Sequence, residues 1–463
     1  MKLTTLLLTL ILAGCASAPP IDTSSLPATP AAFKEGDGKW TLATPAEAQS
    51  RGTWWKPFAD PTLDSLVERA DRNNTSIAVA AARLAEARAL AQSTRADQFP
   101  QLGVHAGAVR GDGLPDRLAA NPLTLATAGA TLSYEVDLFG RLSHASRAAQ
   151  LDAQSRERLL QSTRLLVQAE VAQTYLALRA LDAERALVRR TVDTYRGTLG
   201  LTERRYRAGD VAELDVSRAK TEVAATEAEA LALDRRRAEL EHALAVLVGE
   251  TASTFSMAET DWSTALPIIP AGVPSTVLTR RPDVSAAQDS MLASQARVGA
   301  AKAAWFPSLS LTAAGGTASS ELGDLFKWSA RAWGVGALLA LPVFDGGRRE
   351  AGVQGATAGL DIALNQYREQ VLVAFREVED QLSALHLLAR QSEAQARAVD
   401  SASRTTALSD ARYRNGLVSQ LELLDAQRSE LRNRRQAVQV KSAQYQATVG
   451  LVRALGGGWE ERT

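Results

Sequence analysis

The residues in this chain that could do chemistry are few and far apart. Its four histidines, His105, His144, His242 and His386, are scattered and show no metal-ligand spacing. There is no nucleotide-binding glycine loop, no nucleophile elbow and no second cysteine to pair with Cys15. No catalytic residue, no metal and no cofactor is therefore expected. The chain carries 52 basic and 52 acidic residues, so its net charge is zero and it lacks the basic footprint of a nucleic-acid binder. What remains is one thiol near the start, together with carboxylates and glycines at the ends of long helical runs. The elements around these residues decide what they are for.

Cys15 closes a short segment of export type. Lys2 supplies a positive charge, and Leu3 to Ala13 is apolar. About eleven apolar residues fall well short of the about 20 a spanning helix needs, but suit a signal-peptide core. The run Leu12-Ala13-Gly14-Cys15-Ala16 resembles the bacterial lipobox. That resemblance implies that residues 1–14 are removed and that Cys15 becomes the first mature residue, bearing acyl chains. Ala16 rather than Asp at the second mature position implies delivery to the outer membrane. A plain signal peptide with a chance cysteine would leave unexplained the small residues before Cys15 and the loose Ala/Ser/Pro stretch after it.

The chain is written twice. Phe99-Pro100-Gln101-Leu102 returns as Phe306-Pro307-Ser308-Leu309, and Gly140-Arg141 returns as Gly347-Arg348. Arg205-Tyr206-Arg207-Ala208-Gly209 returns as Arg412-Tyr413-Arg414-Asn415-Gly416, again 207 positions on. Several motifs at one offset, without a gap, mark a duplication. Each half begins with a helical run, from about Leu63 to Gln98 and from about Val284 to Trp305. Then come Phe-Pro, a strand, a glycine-rich loop, a second strand, and Gly-Arg opening a very long helix.

Proline after phenylalanine ends each first run, because the residue before proline avoids the helical region. Beyond it the period becomes two. Ser308, Ser310 and Thr312 alternate with Leu309, Leu311 and Ala313, while Thr127, Thr131, Ser133 and Glu135 alternate with alanines, Leu132, Tyr134 and Val136. An apolar face backed by a small polar one, in segments of about ten residues, fits the wall of a membrane barrel. Phe99, Tyr134, Phe139, Trp305, Phe306, Trp328, Trp333 and Phe344 lie at the segment ends, where interfacial aromatics belong. Soluble hairpins packed on a core have the same alternation. Four strands are too few to close a barrel, so closure requires several chains in a cyclic oligomer, and three would give twelve strands.

No proline occurs from Arg141 to Arg207 or from Arg348 to Arg414. Runs of about 67 residues extend about 100 Å at ~1.5 Å per residue and point to coiled-coil packing. Heptad seams are legible in Leu364, Val371, Val378 and Leu385, and in Leu424, Leu431, Val438, Tyr445 and Val452. In the first half Val171, Tyr175 and Leu178 keep the seam, and Ala224, Leu231, Ala238 and Ala245 are expected to continue it. Gly209 and Gly416 mark the turns between helices.

Taken together, these features resemble the TolC-like outer membrane efflux family, in its lipoprotein (OprM- or NodT-like) branch of tripartite RND-type systems. The most specific pieces are Trp54-Trp55 with Phe58-Ala59-Asp60-Pro61-Thr62-Leu63, Tyr134 to Arg141, Leu341 to Arg348, and Arg412 to Arg428. The resemblance implies a mainly α fold with a membrane β-barrel: duplicated long helical hairpins plus four strands per chain. Three chains would form a 12-stranded barrel and a helical periplasmic tunnel. It divides the chain into the signal (1–14), a lipid-anchored equatorial segment (15–60), a first repeat (61–249), an equatorial linker (250–282), a second repeat (283–455) and a tail (456–463). The implied function is the exit duct of a tripartite pump for drugs or other toxic compounds. Its implied partners are two further copies of the chain, a periplasmic adaptor, an inner-membrane RND-type pump and the outer membrane.

By position, the family's periplasmic gate maps onto Asp215, Tyr413, Leu421, Glu422 and Asp425. Val418 stands where some relatives have a gate arginine, so a salt-bridge lock is not implied. Three chains would bring nine carboxylates near one axis, favouring cations and repelling like charge. Solvated acids at positive helix starts account for the same residues without a gate. The turns at Gly209 and Gly416 are the implied adaptor contacts. A protein-secretion duct is the nearest alternative function. A periplasmic coiled-coil lipoprotein would explain the rods but not the alternating strands.

Overall fold

The computed structural model describes residues 19–20, 27, 32–35, 52–111, 123–267 and 280–457. Cys15 and the segment 1–14 lie outside the described residues, as does 458–463 of the tail. The chain falls into two compact units. One includes Ala82–Arg158 and Ala286–Glu369, the other Pro27–Ala81, Leu159–Ser285 and Gln370–Thr463.

The first unit contains β1 (Gln101–Gly111), β2 (Leu123–Val136), β3 (Ser308–Ser319) and β4 (Arg331–Ala340), an antiparallel sheet in that order. Its middle pair, β2 and β3, joins the two repeats. Register turns the alternation read in each strand into a property of the whole sheet. Leu102, Leu132, Ala313 and Val335 lie opposite one another in one row, and Val104, Ala130, Gly315 and Trp333 in another. Residues opposite one another share a face, and one step along moves to the other. The intervening rows read Gln101, Ser133, Thr312, Gly336 and Gly103, Thr131, Ala314, Gly334. One face is thus apolar across all four strands and the other is small and mostly polar. Most of the apolar face is uncovered among the described residues: Val104 is 84% exposed, Trp333 82% and Val335 77%, while Ala126 towards its far end is buried. Both faces of β4 are exposed along its whole length.

Seven α-helices accompany the sheet among the described residues, besides three short 3-10 turns: α1 (Pro61–Asn73), α2 (Thr75–Ala96), α3 (Arg141–Arg207), α4 (Glu213–Leu247), α5 (Pro282–Ala303), α6 (Arg348–Arg414) and α7 (Gln420–Ala454). The two long helices, α3 and α6, have the 67 residues expected of them. The opening run is not one helix. Asn74 leaves the helical region at ψ 128°. Its side-chain oxygen then accepts from the Ser76 and Ile77 amides at 2.9 and 3.3 Å, while its amide nitrogen donates to the Leu247 carbonyl at 2.8 Å. An asparagine placed to cap a helix and reach a neighbour breaks the run that periodicity alone would continue.

The seams in α3, α6 and α7 are buried at Val171, Tyr175, Leu178, Val371, Val378, Leu424, Tyr445 and Val452 and half-buried at Leu364, Leu385, Leu431 and Val438. The seam of α4 is buried as expected only at Ala245. The helix's other buried residues are Val216, Ala219, Val223, Thr226, Leu233, Arg237 and Leu244, whereas Ala238 is half-buried, Ala224 is exposed and Leu231 is 69% exposed. The heptad spacing is right but the register is one residue early, a rotation of about 100°. Arg237 takes a seam position in this register, held by Asp182 on α3 and by Glu241 one turn on.

The main core of the second unit gathers Trp54, Trp55 and Phe58 against Leu63, Leu66, Tyr175, Leu244 and Tyr445. Asp60 pins it. One carboxylate oxygen caps α1 through the Thr62 and Leu63 amides, and the other accepts from Tyr175 and Thr264 hydroxyls, both at 2.8 Å.

Candidate functional site at the hairpin tips

The two hairpins of the second unit turn in the same way. Gly209 has φ 83° and Gly416 φ 73°, which glycine adopts without steric cost. Gly209 N donates to the Tyr206 carbonyl and Asp210 N to that of Arg205; Gly416 and Leu417 repeat the pattern on Tyr413 and Arg412. This double bond closes a helix C-terminus in the Schellman manner. A side chain at either glycine would meet open space, so both tips are accessible surfaces.

Tyr413 is 2% exposed and ties the hairpins together. Its hydroxyl lies 3.1 Å from the Thr202 hydroxyl on α3, which also accepts from Gln420 Nε2 at 3.2 Å. Arg205 completes the cluster. Its Nη2 donates to the Tyr413 and Arg414 carbonyls at 3.1 and 3.0 Å, and its guanidinium lies 4.7 Å from the Tyr413 ring centre. Carbonyls at a helix C-terminus lack intrahelical partners, and a cation there satisfies both their hydrogen bonding and their dipole. Sequence reasoning missed Thr202, Arg205 and Gln420. The available signal was the repeat itself, since Arg205 and Arg412 open matching motifs.

The other expected gate residues stand on outer turns. Leu421 is 49% exposed. Glu422 lies 3.7 Å from Arg412, and Asp215 lies 3.8 Å from Arg218. Asp425 is exposed on α7, and its charge acts on Arg428. Arg428 forks onto Glu222 of α4, its Nε at 2.9 Å. Glu222's hydrogen bond holds the Arg428 guanidinium above its ordinary pKa, with Asp425 adding to the effect. One heptad on, Arg435 repeats the link with Glu229 and Glu184. Tyr195 lies buried beside this ladder, its pKa pushed up to about 12, first by burial and then by the charge of Glu222. Within one chain, Tyr413 is therefore an internal bond, while Leu421, Glu422 and Asp425 are exposed and Asp215 is half-buried.

Among the described residues no helix is long and apolar enough to cross a membrane, and no three or more of His, Cys, Asp or Glu are grouped to hold a metal.

The sequence model of the outer membrane efflux protein family matches residues 66–250 and again 273–457, once in each repeat. The chain is 33% identical over 464 residues to the toluene efflux pump outer membrane protein TtgC of Pseudomonas putida, covering 98% of this chain and 94% of that one. It is 30% identical to the cation efflux system protein CusC of Escherichia coli, over 99% of both. The solved structure of the outer-membrane channel OprN superposes with a TM-score of 0.88 at 30% identity, covering 96% of this chain and all of that one. With both repeats matched and relatives aligned almost end to end, this chain belongs to the outer membrane efflux protein family.

Proposed function

We propose that this protein is the outer-membrane exit duct of a tripartite efflux pump, acting as a homotrimer anchored by acyl chains on Cys15. The observation that carries the proposal is the mostly uncovered apolar face that runs in register across all four strands. A sheet whose outer strands β1 and β4 are unpaired edges, with one apolar face and one small polar face, is a segment of barrel wall. Three such segments close into twelve strands with lipid outside and water inside. The long hairpins continue the duct into the periplasm, where their tips meet an adaptor that joins the inner-membrane RND-type pump.

The chain passes small molecules such as drugs or other toxic compounds without acting on them. Energy comes from the pump, and the protein requires no cofactor beyond its covalent lipid. Relatives this similar serve toluene in one case and a cation in another, which fits a duct that leaves selection to its pump. Asp215, Leu421, Glu422 and Asp425 narrow the periplasmic end, and Tyr413 holds the hairpins in the resting position.

Single-channel recording of the purified, lipidated protein in a planar bilayer tests the proposal. Small cation-selective steps from a particle of three chain masses are expected. A monomer, or a trimer that inserts yet gives no steps even with adaptor and pump present, would overturn it.

A further inference from the structure

The apolar face of the sheet stops short of the strand ends that lie away from the helices, and each hairpin ends it in the same way. On that face β1 carries Leu102, Val104, Ala106 and Ala108, and then Arg110. Counted in the same direction, β4 carries Leu339, Ala337, Val335 and Trp333, and then Arg331. The Cα partner of Arg110 is Thr124 on β2, and that of Arg331 is Thr317 on β3. A shift of 207 positions turns Arg110 into Thr317 and Thr124 into Arg331. The duplication thus keeps an Arg–Thr pair at this place and exchanges its strands.

We infer that these arginines hold the headgroup phosphate of an anionic lipid in the external leaflet, with its acyl chains lying on the apolar rows below. This deepens the barrel reading above and rests on it.

The depth is right for such a contact. Eight residues separate Leu102 from Arg110 and Leu339 from Arg331, or about 27 Å of strand at about 3.4 Å per residue. With strands tilted about 40°, that is about 20 Å of height, most of an apolar band about 25 Å tall. The helices leave the opposite ends of the strands for the periplasm, so the arginines reach the external interface.

The charge is uncompensated as well. Both arginines are exposed, and no carboxylate among the described residues pairs with either. On the β3–β4 connection Asp324 is taken by Lys327 at 2.6 Å, which leaves Glu321 as its remaining acid against two guanidiniums. The Thr317 hydroxyl is turned to the Ala128 carbonyl at 3.4 Å, so the guanidiniums are the donors left for a phosphate. Beside them the same connection exposes Phe326 and Trp328, and the Arg331 guanidinium lies 3.3 Å from the Trp328 ring centre. An indole next to a cation, with apolar rows on one side, is the composition of a membrane interface.

Closure sharpens the need for an anion. Arg110 and Arg331 stand on the two edge strands, and a closed ring of sheets sets those edges side by side. Like charges on neighbouring strands repel. A phosphate between them converts that repulsion into two charge-assisted contacts.

Native mass spectrometry of the full-length, lipidated protein in detergent tests this, with parallel titrations of dioleoyl phosphatidic acid and dioleoyl phosphatidylcholine. Wild-type trimers should favour phosphatidic acid by about fivefold for each arginine engaged. The double variant Arg110→Gln, Arg331→Gln should bind the two lipids alike, and inorganic phosphate should not displace the lipid from wild type. Equal affinity in wild type, or a preference kept by the double variant, overturns the lipid site and leaves the duct standing where bilayer steps persist. Displacement by inorganic phosphate would mean a bare anion site and overturns the lipid inference too. Monomeric wild type without steps overturns both readings. Should the double variant fail to form trimers, the single variants Arg110→Gln and Arg331→Gln put the same question, and a preference unchanged in both would overturn the inference.

Discussion

Arg237 stands in the packed seam of α4 with its Nε 2.8 Å from Asp182 on α3. Asp182 is 6% exposed and also faces Arg179 at 3.1 Å and Arg185 at 3.4 Å. All three arginines reach on to the linker, Arg179 to the Ala258 carbonyl, Arg237 to that of Met257 and Arg185 to the Glu259 carboxylate at 2.9 Å. Asp182 is thus the buried carboxylate that the three cations share, while Arg185 also pairs with Asp234 and Glu259 and Arg237 with Glu241, and together they hold residues 257–259 on the hairpin.

Removing that carboxylate takes away the acid that the buried Arg179 faces at 3.1 Å, which costs more than the pair contributes while intact. Asp182→Ala should lower stability by about 3 kcal/mol, read as a drop in the thermal midpoint of the detergent-solubilised protein. Arg196→Ala breaks an exposed pair with Glu227 and should cost no more than about 0.5 kcal/mol. Equal drops in the two variants would show that burial is not what makes Asp182 matter.

The same cluster explains what could and could not be read from the chain. Long helices, strands and turns were legible because each is a local pattern that the repeat states twice. The α4 seam was not, since Arg237 looks like a solvent residue until Asp182, 55 positions away on another helix, is known to face it. Asn74 was missed for a similar reason: its cap is local, but its bond to Leu247 is not. At the tips Tyr413 was found by family position, whereas Thr202 and Arg205 became visible only once α3 and α6 were seen side by side.

Acid should weaken the start of α5 in a defined way. Burial raises the Asp283 carboxyl, but the Arg281 hydrogen bond and charge, with the Val284 amide, more than offset this and hold it below the ordinary aspartate value. A lowered folded pKa means that the contribution is complete above the unfolded value of about 3.9 and is lost as pH falls through the folded one. The gap in thermal midpoint between wild type and Asp283→Asn should be widest above about pH 5 and shrink below about pH 4. A gap that stayed constant down to strong acid would rule out this pair as its source.

Glycine is required at two equivalent places, and for more than its backbone angle. Gly249 has φ 75°, and a Cβ there would sit 2.5 Å from the Asn73 carbonyl oxygen. Its counterpart Gly456 has φ 88°, with the Arg280 carbonyl oxygen at 2.8 Å. Gly416→Ala at the open tip should cost about 1 kcal/mol for left-handed strain alone. Gly249→Ala and Gly456→Ala add an encounter with backbone, and each should cost at least about 2 kcal/mol. Thermal unfolding of the three variants side by side checks this, and equal losses would mean the backbone yields freely.

The proposed gate makes the sharpest demand, because two changes should open it by different routes. Tyr413→Phe deletes the hydroxyl 3.1 Å from Thr202 but keeps the ring beneath Arg205. One neutral hydrogen bond per chain is lost, worth about 1 kcal/mol, which favours the open form about fivefold per chain if the bond breaks on opening. Ion selectivity should stay as it was, since no charge has changed. Asp425→Ala removes a charge instead of a bond. In the proposed trimer it takes three of nine carboxylates from the neck, so conductance should rise and cation preference should fall together. Bilayer recordings of both variants beside wild type separate the two effects. Cation preference that survives Asp425→Ala unchanged would place the selective ring elsewhere, and unchanged conductance in both would mean that neither residue restrains the resting pore.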